Sequence, residues 1–118
     1  MKTIVNLQNV SVAHGEQHPP PIFQCFDRRV YRLGGVYVSC WLCEGLIPDT
    51  MPDSVRSALG YTHSVVVYSI QNGIISLDFK SLSQALEVFA LLTRYEISPY
   101  HIEDVLEDRE LVARIRRL

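Results

Sequence analysis

Cys40 and Cys43 stand three apart in the run Cys40-Trp41-Leu42-Cys43-Glu44-Gly45. Two thiolates at that spacing, with a glycine just beyond, can form a knuckle that grips zinc. Structural zinc takes four ligands, and the chain has no second pair of this kind; Cys25, His14 and His18 would have to complete the set. If the run is a strand instead, its alternation sends Cys40 and Cys43 to opposite faces. Free cysteine then behaves as a small buried hydrophobe, and this is the reading adopted. A second donor set is His14, Glu16 and His18. These alternate residues share one side of an extended segment and present two imidazoles and a carboxylate. They precede Pro19-Pro20-Pro21 in a polar loop, where no supporting residues are visible to hold a geometry. Neither set is assigned a metal, and no cofactor is expected.

The C-terminus divides its charge. Glu103, Asp104, Glu107, Asp108 and Glu110 precede Arg114, Arg116 and Arg117, with Arg109 inside the acidic run. Acids near a helix N-terminus and bases near its C-terminus complement the macrodipole. The functional alternative is a basic tip that touches phosphate. Three arginines would give modest, salt-sensitive affinity.

The strongest candidate is a face that joins Arg28, Arg32, Tyr37 and Trp41. Arginine, tyrosine and tryptophan are the types enriched at binding hot spots, and arginine beside tryptophan across a strand pair supports a cation–π contact. Two accounts compete for Trp41. Either the face is open and docks a partner, or a loop or the 52–59 segment covers it and Trp41 belongs to the interior. The motifs of nucleotide, serine-hydrolase and zinc-protease sites are absent from the sequence: no glycine-rich phosphate loop, no Gly-x-Ser-x-Gly elbow, no His-Glu-x-x-His helix. Asp78 and His63 read as isolated polar groups.

The elements that position these residues follow from two glycine-bearing bends. Gly34-Gly35 and Asn72-Gly73 each separate runs that favour strand, the strongest short-range signal for a tight antiparallel turn. A two-residue turn at Gly34-Gly35 pairs Leu33 with Val36, Tyr31 with Val38 and Arg29 with Cys40 on one face. The other face then pairs Arg32 with Tyr37, Val30 with Ser39 and Arg28 with Trp41. The first face is the more apolar and is placed toward the core. At Asn72-Gly73 the same geometry pairs Ile70 with Ile75, Tyr68 with Leu77 and Val66 with Phe79, an apolar face for a sheet covered on one side. An opening strand is expected over 3–13, a short strand over 22–26, and a short helix over 52–59 that ends at Gly60.

Ser81 and Gln84 make a capping-box pattern ahead of Leu82, Ala85, Leu86, Phe89 and Leu92, with a second stripe at Val88, Leu91 and Tyr95. Ser98 and Pro99 open a last helix in which Ile102, Val105, Leu106, Val112 and Ile115 roughly track a helical stripe, with Asp108 as the point where the chain re-caps and kinks. The expected architecture is α+β. It has an antiparallel sheet of about four or five strands, with two C-terminal helices packed on one face, in a single domain over residues 1–118.

At 118 residues and 47% hydrophobic content, the chain can build one real core. A net charge of −2 gives the whole molecule no drive toward nucleic acid or anionic membrane. Nine arginines against two lysines favour planar and stacked contacts. Three cysteines without a secretory leader over Met1–Val12 imply a reduced, cytoplasmic protein with free thiols, and no segment approaches membrane-span length.

The function expected is non-catalytic. The protein is expected to dock on a macromolecular partner, in the first place a protein, as inhibitors, immunity partners and phage-borne antagonists do. The alternatives are a nucleic-acid-binding module that uses the Arg/aromatic face for stacking and phosphate contact, and a small metal-binding protein. Surplus apolar helix surface also allows a homodimer.

Overall fold

The computed structural model describes residues 24–47 and 60–118. The expected strand over 3–13, the His14/Glu16/His18 loop and the expected helix over 52–59 lie outside the described residues. Within them the chain forms β1 (Gln24–Leu33), β2 (Val36–Glu44), β3 (His63–Ser69), β4 (Gly73–Phe79) and α1 (Leu82–Arg94). A 3-10 turn (Pro99–His101), α2 (Ile102–Asp108) and β5 (Arg114–Arg117) complete it. The five strands lie in chain order in one antiparallel sheet. Both helices pack on the same face of it. This is the α+β class that the patterning implies. No helix among the described residues is long and apolar enough to cross a membrane.

The first hairpin takes the register read from Gly34-Gly35, with Leu33 opposite Val36, Arg32 opposite Tyr37 and Arg28 opposite Trp41. Gly34 carries a positive φ of +61°, the conformation that a II′-type turn reserves for glycine at its first central position. Tyr31, Val38, Cys40 and Leu42 then face the helices, as the apolar count requires.

The second hairpin departs from the expected register. Its loop has three residues, Ile70, Gln71 and Asn72, closed by Ser69 opposite Gly73. The Ser69 hydroxyl accepts hydrogen bonds from the Asn72 backbone N–H and side-chain amide at 3.2 and 3.1 Å, and Gly73 takes φ +67°. A turn followed by a left-handed glycine is the common three-residue hairpin connection. The pairing therefore moves by three positions, an odd number, and the facing of β3 inverts relative to expectation. Val65 and Val67 join Ile75, Leu77 and Phe79 under the helices, while Val66 and Tyr68 turn to the other side. Ile70, expected in the core, is 82% exposed.

Helix α1 starts where the capping pattern puts it, with the Ser81 hydroxyl accepting from the Gln84 N–H at 3.3 Å. Its buried face is Ala85, Val88, Phe89 and Leu92. That stripe is rotated from the expected one, since Leu82 and Leu86 are exposed. The last helix is also shorter than expected. It stops at Asp108, and residues 114–117 form a strand beside β4, with Arg114 opposite Asp78 and Arg116 opposite Ser76. Ala113 and Ile115 pack toward the core side, and Arg114 and Arg116 project to the other. This period-two alternation suits a strand and not a helix.

The expectation of a sheet covered on one side is overturned as well. The face away from the helices carries its own buried cluster of Cys25, Trp41, Cys43, Ile47, Val66 and Ile74.

Candidate functional site

The outer face of the β1–β2 hairpin brings the four predicted residues into two stacked pairs. The Arg28 Cζ lies 5.4 Å from the centre of the Trp41 ring, and the Arg32 Cζ lies 5.9 Å from that of Tyr37. Each arginine is directly opposite its aromatic partner in the strand register, within the range where a guanidinium is attracted to a ring face. The Arg32 Nε also donates to the Gly34 carbonyl oxygen at 2.8 Å, which ties the guanidinium to the turn. The Arg28 backbone N–H donates to Asp27 Oδ1 at 2.7 Å.

The two pairs differ in exposure. Tyr37 is 62% exposed and Arg32 is exposed beside it, whereas Trp41 is only 5% exposed. Trp41 is thus no part of an open surface. It sits in the second cluster, opposite Val66 on the side toward the sheet centre, and its indole N–H has no hydrogen-bond partner among the described residues. The face therefore grades from an exposed Arg32/Tyr37 tip near the turn to an apolar interior around Trp41.

Further across the same face lies a charged cluster that the sequence reading missed. Asp78 is fully buried and accepts from Arg116 Nε at 2.7 Å and Arg114 Nε at 3.0 Å on Oδ2. The Arg116 guanidinium further donates to Asp78 Oδ1, the Ser76 hydroxyl and the Ile47 carbonyl oxygen, and Ser76 donates to Asp78 Oδ1 at 2.7 Å. Arg114 Cζ and Lys80 Nζ each lie within 5.6 Å of the Tyr61 ring centre. The signal for this cluster was the Arg114-x-Arg116 alternation with Asp78 on an adjacent strand, which a helical reading of the C-terminus conceals. Arg117 in turn pairs with Glu103 at 2.8 Å. The alternative of a basic tip loses its support, because each of its three arginines meets a carboxylate.

The thiols separate by face as the strand reading requires. Cys40 lies in the core under the helices, and Cys43 in the Trp41 cluster. Burial pushes the Cys40 thiol up to about 11, against a smaller opposing effect of its hydrogen bond to Tyr31. Among the described residues, no three His, Cys, Asp or Glu side chains gather as metal ligands would. His63 bonds to the Thr62 hydroxyl at 2.8 Å and stacks against Phe26. A cleft of about 330 Å³ opens between the strand ends and the 3-10 turn, with Leu33, Val36 and Val38 as apolar lining and Ser69, Gln71, Asn72 and Ser98 as polar lining. Tyr100 also lines it.

No protein-family model matches the chain, and no curated protein or solved structure matches it either.

Proposed function

We propose that the protein is a non-catalytic binding protein that docks on another protein through the turn end of its β1–β2 hairpin. The supporting observation is the exposed Arg32/Tyr37 pair. Tyrosine and arginine are favoured contact residues, and here the guanidinium is already held by the Gly34 carbonyl and stacked on its neighbour. Restraint before binding lowers the ordering cost on association. Arg28 over the buried Trp41 extends the same surface inward. On this reading the protein acts as an inhibitor, an immunity partner or a phage-borne antagonist.

A nucleic-acid partner is less favoured. The C-terminal arginines that would have enlarged a basic surface are matched by Asp78 and Glu103, and the chain is net acidic at −2. A second copy is the other candidate partner, since Leu82 and Leu86 on α1 and Tyr95 at its C-cap leave apolar area exposed.

The experiment is co-purification from the native host with wild type, Arg32→Ala, Tyr37→Ala and the double variant. The partner identified with wild type is then titrated against each. Loss of one central anchor of this type weakens binding by about 10- to 30-fold. Equal affinity for all four proteins removes the hairpin tip as the contact. A partner that disappears on nuclease treatment favours the nucleic-acid reading instead, and a wild-type mass of two chains by light scattering favours the homodimer.

A further inference from the structure

Cys25 and Cys43 oppose each other across β1 and β2, both 0% exposed, with their Sγ atoms 2.8 Å apart. A local irregularity in β1 creates this meeting. From Leu33 back to Asp27 the pairing with β2 runs in step, and between Asp27 and Cys25 the register shifts by one. Without the shift, Phe26 would stand opposite Cys43, and Cys25 opposite Glu44 on the helix side. The extra residue at Phe26 turns Cys25 onto the Trp41 face and sets it against Cys43. Bulges characteristically re-aim a side chain in this way. Opposed residues of antiparallel strands have Cα atoms about 4.5–5.5 Å apart, inside the span of about 4.4–6.8 Å that a disulfide accepts.

We propose that Cys25 and Cys43 form a dithiol–disulfide pair, which a low-molecular-weight disulfide oxidises to a covalent staple between β1 and β2. Cys40, on the opposite face, stays a free thiol. The Cys25 thiolate attacks one sulfur of the reagent. The reagent S–S bond breaks, and one reagent thiolate leaves with the electron pair and takes up a proton. Cys43 then loses its proton to solvent and attacks the Cys25 sulfur, expelling the second reagent thiol. Two protein S–H bonds are lost and one S–S bond is made, while the reagent disulfide is reduced to two thiols.

Cys25 is the second residue of β1, and among the described residues β1 is the edge of the sheet. Opening that strand end admits the reagent without dismantling the core. The order of attack agrees with the local chemistry. The hydrogen bond from Cys43 favours the Cys25 thiolate, and burial, the larger effect, disfavours that of Cys43.

The test equilibrates the full chain in glutathione buffers of graded redox ratio. Equilibrium is approached both from native reduced protein and by refolding from guanidinium. Samples are acid-quenched, denatured, alkylated with N-ethylmaleimide, weighed intact and mapped without reduction. The expected product carries one maleimide adduct, on Cys40, and a cross-linked peptide that joins Cys25 to Cys43. Because the fold holds the thiols together, the pair closes at a ratio at least about tenfold more reducing than in concentrated guanidinium. Cys40→Ala closes at the same ratio as wild type. Three adducts per chain at every ratio from both directions, a link that includes Cys40, or closure equally easy in the unfolded chain would each overturn the proposal. None of these outcomes bears on the docking surface.

Discussion

Asp78 has no exposed surface and meets two guanidinium groups, so the consequence of losing its charge is set by what stays behind. A buried ion pair replaced whole is often neutral, whereas removal of one partner leaves an uncompensated charge that costs about 3–5 kcal/mol. Asp78→Asn keeps the shape and strands the positive charge of Arg116, which is 8% exposed, beside that of Arg114. We predict a loss of stability of about 3 kcal/mol or more in urea denaturation. Pairing Asp78→Asn with Arg116→Met should recover a good part of the loss. If both single and double variants unfold at the wild-type midpoint, the cluster does not anchor β5 to β4. From the sequence, Asp78 was read as an isolated polar group, which its bonds to Arg114 and Arg116 overturn. Its partners were hidden because their alternation was read with a helical period, and the contact that identifies them joins residues 36 and 38 positions apart.

Elements were legible where their punctuation was local. Gly34-Gly35 set one turn, and every pairing from Leu33 to Arg28 followed. Ser81 likewise located the start of α1. The Asn72-Gly73 bend looked equally plain and was off by three because the Ser69 side chain competes for the turn, a choice between two low-energy loops that composition does not decide.

The helix ends carry a comparable surprise. Helix α1 closes with the Ile97 N–H donating to the Leu92 carbonyl and α2 with Leu111 donating to Leu106, both at 2.9 Å. Both turns put a glutamate in the left-handed region, Glu96 at φ +51° and Glu110 at φ +55°. Glycine is the usual occupant of that position, since an L side chain there costs about 1–2 kcal/mol. Glycine's greater freedom in the unfolded chain offsets part of the gain. Glu96→Gly and Glu110→Gly should therefore each raise stability by about 0.5–1 kcal/mol. Glu87→Gly, the same chemical change inside α1, should lower it by about 1 kcal/mol. Urea midpoints at unchanged slope read all three, and a loss of stability in the first two would show that those glutamates hold the turns by contacts and not in spite of their conformation.

At the scale of the molecule, two helices on one face of an antiparallel sheet were visible in the order of the hydrophobic runs, whereas the strand order was not. The second buried face was not. A strand buried on both sides has no alternation to read, and in Val65-Val66-Val67 the sequence is the same whichever way the strand faces. What the two-sided burial does to the thiols and the phenol is a global property with a measurable sign. Cys40 is held protonated by burial up to about 11, against an ordinary value of 9.0. Tyr31, whose hydroxyl donates to the Ile97 carbonyl at 2.6 Å, is raised above its ordinary 10.0 by burial first and by Cys40 next.

In both groups the folded value lies above the unfolded one. The Cys40 contribution is complete below about pH 9, where both states keep the proton, and is lost as the pH rises through about 11, because in between the unfolded chain has released a proton that the folded chain still holds. That of Tyr31 begins to fall only above its ordinary 10.0. Each such group removes about 1.4 kcal/mol per pH unit inside its window, so Cys40 alone accounts for a decline on the order of 2 kcal/mol. Urea denaturation under reducing conditions, followed from neutral pH into this range, should show stability falling on the alkaline side. The Cys40→Ala variant, less stable at neutral pH for its lost packing, should fall less steeply between pH 9 and 11. The Cys25/Cys43 pair is common to both proteins and cancels from the comparison. Parallel slopes would mean that the Cys40 thiol ionises in the folded state as easily as in water, which a side chain sealed between the sheet and α1 should not do.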